Sequence, residues 1–256
     1  MTKHQFETFC DFRTEFKSYC HTLNKNFSEV LQGLVREALK NDTPSYPLET
    51  AVVYNTALDE ITEESNINLI VIGDNPGKDE QLAKNNKYLV GQSGKIAAGF
   101  FSKHADLRTD FRKNVIILNK TPVHTAKTKH LSFVEKNGDG SIKSLITDSQ
   151  IFMAKKTAEL HHALLADAAD GRPELWLVGY GELKNSGVFL RYRDALKSSY
   201  ADGTDNAWKR VFVFQHFSMN RFSIDLNEFC TAHETLGLVD ALHALGKQHR
   251  AEIFGA

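Results

Sequence analysis

Asn68-Leu69-Ile70-Val71-Ile72-Gly73-Asp74-Asn75-Pro76-Gly77-Lys78 decides how this chain folds. Four apolar residues, three of them β-branched, stop at a glycine, and a stiff polar turn follows. A strand that is apolar on both faces belongs in a parallel sheet covered by helices on each side. In open α/β sheets, ligands sit outside the carboxyl ends of the strands. Pro76 fixes its own φ and Gly77 frees the next residue, so the turn should hold the Asn75 side chain at the mouth of a pocket. A carboxamide there can orient a water or hydrogen-bond a polar ring without titrating.

Working outward, the apolar run recurs three times, at Val115–Leu118, Leu175–Val178 and Val211–Phe214. Each run ends in polar or glycine residues: Asn119-Lys120-Thr121, Gly179-Tyr180-Gly181 and Gln215-His216. Between the runs, Gly94–His104 and Asp148–Asp170 carry Ala, Leu and Ile at helical spacing. The alternation predicts βαβ units with right-handed crossovers. The expected fold is therefore a three-layer α/β/α sandwich around a central, mainly parallel four-stranded sheet. Asn75, Asn119 and His216 should then converge on one rim. The first 45 residues read as helical, in two stripes. Phe6, Phe9, Cys10, Phe12, Phe16 and Cys20 form one; Phe27, Val30, Leu31, Leu34, Val35 and Leu39 form the other. Asn41-Asp42-Thr43-Pro44 should end the second helix. A single domain is expected, with a helical cap over residues 1–45 and an α/β core over 46–256.

Composition narrows the class. The chain has 256 residues, 41% hydrophobic and 25% charged, as in an ordinary globular protein. It holds no apolar run long enough for a membrane helix, and its N-terminus has no signal-peptide pattern. Three scattered cysteines, Cys10, Cys20 and Cys230, are too few for a disulfide framework or an iron–sulfur site, which fits a reducing cytoplasm. A net charge of −1 excludes a strongly basic nucleic-acid coat protein but not a local basic face. Arg112, Lys113, Lys120, Lys127 and Lys129, with His124 and His130, lie in a stretch without acidic residues from Phe111 to Val134. Such a face suits phosphate contacts. No zinc-like Cys/His spacing is present, so neither a metal nor a cofactor is expected. No dimerisation pattern stands out, so a monomer is expected. Gly91-Gln92-Ser93-Gly94-Lys95 fails the phosphate-loop spacing, because Leu89 stands where its first glycine is needed.

Four segments, in order and each near a strand end, resemble the motifs of the uracil-DNA glycosylase superfamily over roughly residues 52–221. Gly73-Asp74-Asn75-Pro76-Gly77 is similar to its G-x-N-P-G motif. Tyr88-Leu89-Val90-Gly91-Gln92-Ser93-Gly94-Lys95 is similar to its x-F-x-G-x-x-G helix entry. Val115–Asn119 is similar to its base-reading strand, and Gln215-His216-Phe217-Ser218-Met219-Asn220 to its last motif, H-P-S-P-x. Val53-Tyr54-Asn55 and the N-x-x-P of Asn119–Pro122 resemble the branch of single-strand-selective monofunctional uracil glycosylases.

The resemblance implies a DNA-repair hydrolase that flips a uracil or related deaminated base out of DNA and cleaves its N-glycosidic bond. Asn75 would position the attacking water, and His216 would stabilise charge on the departing base. Asn119 would read the base edge; Asp74, Pro76, Gly77, Tyr88 and Leu89 would complete the base pocket, with backbone N–H groups of residues 74–77 as further donors. Ser93, Lys120, Ser218, Met219, Asn220 and Arg221 would contact DNA. The chain departs from the family at Leu89, in the place of the base-stacking Phe, and at Phe217 and Met219, in the place of prolines. Asn220 stands where a Leu or Arg wedge would enter the duplex, a role open to Met219 or Arg221. These departures leave a second expectation: a weak or inactive member that binds nucleic acid or damaged bases. Independently of the resemblance, an α/β enzyme acting on a nucleoside at the same rim stays open.

Overall fold

The computed structural model describes residues 1–40, 42–166 and 173–255. At its centre lie β1 (Leu69–Gly73), β2 (Val115–Asn119), β3 (Glu174–Val178) and β4 (Val211–Phe214). The order across the sheet is β2-β1-β3-β4, and every neighbouring pair is parallel. Every strand residue but Glu174 is buried, as strands covered on both faces must be.

Among the described residues, seven α-helices flank the sheet: α1 (Lys3–Leu39), α2 (Gln92–Lys103), α3 (Thr128–Asn137), α4 (Gly140–Leu165), α5 (Leu190–Ser199), α6 (Arg221–Ala232) and α7 (Leu238–Phe254). The β1-to-β2 connection moves toward one sheet edge, while β2 to β3 and β3 to β4 move toward the other. Right-handed crossovers therefore put α2 on one face and α3–α5 on the opposite one. Packing agrees. On one side α1 rests on α3 and α4, and α4 on α5. On the other, Phe100 of α2 meets Phe222 of α6, Phe101 meets Trp176 of β3, and α7 lies on β4 and α6.

The N-terminal segment is one helix of 37 residues, not two. Thr2 and Gln5 start it with a reciprocal capping box. Leu23 bridges the two apolar stripes, so Phe9, Phe12, Phe16, Cys20, Leu23, Leu31, Val35 and Leu39 are buried along one continuous face. Phe9, Phe12 and Phe16 belong to the same apolar cluster as the strands. Asn24, between the two stripes, grips a crossing segment. Its amide donates to Val52 O and its Oδ1 accepts from Val52 N–H at 3.0 Å. That segment runs antiparallel to residues 122–124, with Val53 N–H on Pro122 O (2.9 Å) and His124 N–H on Ala51 O (2.8 Å). The helix expected over 148–170 begins earlier, at Gly140 after an Asp139 cap. Its last expected residues, 167–170, and Asn41 lie outside the described residues. No helix among the described residues is long and apolar enough to cross a membrane.

Candidate functional site

β1 and β2 end side by side, with Gly73 opposite Asn119. The Asn119 carboxamide lies so close to the Gly73 backbone that a Cβ there would run into its Oδ1. Only glycine at position 73 leaves Asn119 in place. Asn119 is 1% exposed, and its Nδ2 is buried without a hydrogen-bond partner among the described residues. Leaving such a donor unpaired costs about 1–3 kcal/mol, and native structures rarely tolerate it without a reason.

The Asn75 turn is held from three sides. Asn75 Nδ2 donates to Thr125 Oγ1 at 2.9 Å. The Thr125 hydroxyl gives its proton to Lys127 O (2.9 Å), so it can only accept from Asn75, and the Asn75 amide orientation is fixed. The Pro76 carbonyl accepts from Thr125 N–H (3.3 Å) and from His124 Nδ1 (2.7 Å). With its proton on Nδ1, His124 accepts the Tyr46 hydroxyl at Nε2 (2.8 Å). Burial pushes His124 down to about 4, so the ring is neutral. Two expectations for Gly77 change here. Its φ is not positive, and a Cβ would meet nothing within 4 Å, so its backbone freedom is unused. Its N–H is spent on Glu80 Oε2 (3.3 Å) and is no donor for a ligand.

Lys120 is the clearest correction. It was expected at a DNA surface, but its side chain is fully buried beneath the strand ends. Its Nζ reaches Asp74 Oδ1 at 2.6 Å, Val178 O at 2.5 Å and Gly73 O at 3.3 Å, and sits over the Phe189 ring at 5.1 Å. Burial lowers its pKa and Asp74 opposes that. The ammonium therefore ties β1, β2 and β3 together and cannot meet a phosphate. Asp74 is likewise committed, to Lys120 and more distantly to Thr128 Oγ1 (3.4 Å), so its carboxylate does not line a base pocket. Its fit depends on Gly179, whose φ is +96° and where a Cβ would strike the carboxylate.

His216 follows β4. Its Nδ1 accepts from Ser218 N–H (3.0 Å) and lies 2.8 Å from Ser218 Oγ. In the neutral ring the proton must then sit on Nε2, which faces away as a donor. Burial lowers its pKa; Asp74 raises it and Lys120 lowers it. Those two couplings place the ring within electrostatic reach of the buried pair. Ser218 thus orients the histidine. Phe217 is buried against Phe222 (4.8 Å) and Phe111 (6.2 Å), anchoring the loop as a proline would. Met219 and Asn220 both adopt left-handed backbone, with φ of +52° and +57°. Met219 is 76% exposed, and Asn220 and Arg221 are exposed beside it.

The 88–95 segment is only partly as expected. Tyr88 is buried, and its hydroxyl is pinned to Val53 O at 2.5 Å. Asn55 accepts its N–H (3.3 Å) and donates to Ile117 O on β2 (2.8 Å). The Tyr88 ring is thus core, not a stacking surface. Leu89 is buried with φ of +51°. Ser93 is half-buried in the first turn of α2.

The basic stretch is largely neutralised within the chain. Lys127 (3.3 Å), Lys129 and His130 (2.9 Å) all pair with Asp42. Lys129 first, then Thr43, His130 and Lys127, hold its carboxyl well below the usual range. Arg112 donates to Leu89 O and Tyr88 O. His124 and Lys120 are buried. Among the described residues, Lys113 alone of the seven named basic residues has no such side-chain partner.

No family model matches the chain, and no curated protein or solved structure matches it. What the rim can do rests on its own chemistry: an unspent amide donor, an acceptor amide on a clamped turn, and a neutral imidazole whose N–H points away from its support. Sequence patterns missed Glu80, His124 and Thr125, which hold the turn. Each is polar yet buried, and no spacing rule marks such a residue.

Proposed function

We propose that this chain is a monofunctional DNA glycosylase that hydrolyses the N-glycosidic bond of uracil or a related deaminated base. The observation that carries this reading is the buried, unpartnered Asn119 Nδ2 at the carboxyl end of β2. An extruded pyrimidine would offer that donor its O4, while Asn119 Oδ1 accepts from N3–H. Departure of the base leaves negative charge on its ring. The Nε2–H of neutral His216 donates to O2 in a dry site. Asn75 spends Nδ2 on the 123–125 loop, so its Oδ1 is the atom to orient a water at the sugar carbon. Met219, strained and exposed next to His216, suits the wedge that fills the vacated stack.

A second reading, a damaged-base binding protein with little turnover, draws on Tyr88. Its ring packs in the core, so the 88–95 segment supplies no aromatic platform for a flipped base.

Base release from oligonucleotides carrying one uracil, hypoxanthine or xanthine, single- and double-stranded, separates the two. The glycosylase reading expects release that drops about 10²–10³-fold in Asn119→Ala and in His216→Ala, with Asn75→Ala also strongly impaired. Tight lesion binding by wild type with no base released overturns it in favour of the binding protein.

A further inference from the structure

We propose that Glu80 is a positioning residue that clasps together the two loops walling this site, and that the clasp loosens when its carboxylate takes up a proton. Glu80 is 7% exposed. Its Oε2 accepts Gly77 N–H (3.3 Å), in the turn that carries Asn75. Its Oε1 accepts Leu89 N–H (3.0 Å), in the segment that leads into α2. One carboxylate thus joins two loops that are 12 residues apart in sequence, from 77 to 89. The Leu89 peptide is gripped on its other side as well, since the Arg112 guanidinium donates to Leu89 O and Tyr88 O. Leu89 has a left-handed φ of +51°, a conformation that a branched side chain keeps only where its surroundings impose it. Glu80 and Arg112 are those surroundings.

A carboxylate can accept both N–H bonds at once, whereas a carboxylic acid must give one oxygen to its own proton. Burial raises the Glu80 carboxyl to about 7; the Gly77 and Leu89 N–H groups lower it, Asp79 raises it and Arg112 lowers it. The Tyr88 hydroxyl, given to Val53 O, is pushed well above its usual range, first by its own burial and also by the Glu80 charge. Charge on Glu80 therefore changes across neutral pH. As pH falls through that range, one of the two N–H bonds is lost, and Asn75 and Leu89 are no longer held relative to each other. The effect on turnover rests on the glycosylase reading; the clasp itself does not.

The test reads the amides directly. In wild type, the ¹H–¹⁵N resonances of Gly77 and Leu89 should titrate together with a midpoint near 7. Glu80→Gln should abolish that step, and Arg112→Met should move the midpoint up. Amides that stay flat in wild type, that titrate unchanged in Glu80→Gln, or that keep or lower their midpoint in Arg112→Met overturn the proposal. The Arg112→Met arm decides the matter even where Glu80→Gln does not fold. In a base-release assay, kcat should fall about tenfold from pH 8 to pH 6 as the carboxylate fraction drops, and Glu80→Gln should be low and pH-independent over that range. A wild type that releases no base at all removes the glycosylase reading but leaves the amide titration to judge Glu80.

Discussion

Lys120 shows how much a single side chain can do once it leaves the surface. In sequence it is one cation in a basic stretch; in the fold it is the electrostatic pin of three strand ends. Desolvating two charges is expensive, and their attraction offsets it only while both are present. Lys120→Ala would leave the Asp74 carboxylate nearly buried with no counter-charge. The expected cost is about 3–5 kcal/mol, measured as a lower urea midpoint with an unchanged slope. Lys120→Ala together with Asp74→Asn should recover part of that loss, because the isolated charge is gone. A single variant as stable as wild type would mean that Lys120 carries no structural charge. Nothing in the string Asn119-Lys120-Thr121 distinguishes this lysine from a solvated one, since its partners, Asp74 and the Val178 carbonyl, come from other strands.

Elements were legible where their signal is local. Apolar runs such as Val115–Leu118 and Val211–Phe214 are strands because residues of that kind, buried on both faces, need a parallel sheet, and their polar ends mark the rim that gathers Asn75, Asn119 and His216. Of the candidate site, the strand-end positions of Asn75, Asn119 and His216 were legible. Its supports were not, because Glu80, His124 and Thr125 act through contacts between distant segments. The length of α1 was hidden for a related reason. The stretch around Asn24 looks like a polar break, yet it holds no proline or glycine, and Asn24 is polar because it serves the Val52 backbone. Asn24→Ala should therefore cost about 2 kcal/mol despite alanine's higher helix propensity, since the buried Val52 N–H and C=O both lose a partner. Chemical denaturation with circular dichroism would show it. An unchanged midpoint would mean that the helix and the 51–53 segment are held together by apolar packing alone.

The whole molecule is built to be weakened by acid well above the range where its exposed carboxylates titrate. His124, His161 and His216 are packed as neutral rings. Burial pushes His124 to about 4 and His161 to about 3, and it lowers His216 as well. His161 is held between the Tyr200 hydroxyl (2.6 Å) and Pro173 O (3.1 Å) in the layer of α4 and α5, far along the chain from the site histidines. In the unfolded chain these rings titrate near 6.5. Between that pH and their folded values, the unfolded state binds more protons. Stability is then full above about pH 6.5 and declines as pH falls toward about 4. Glu80 acts in the opposite sense. Its carboxyl is raised from 4.5 to about 7, so its contribution is present in acid and is lost as pH rises through that interval. Over the shared window the raised carboxyls of Glu80 and Asp225 are set against three histidines, so the histidines dominate the slope. The urea midpoint should thus drop steadily from pH 6.5 to pH 4.5. His161→Gln should flatten that drop, because a neutral amide in the same place takes up no proton. A midpoint that holds level across the window, or one that rises as the solution is acidified, would show that these rings are not buried in their neutral form.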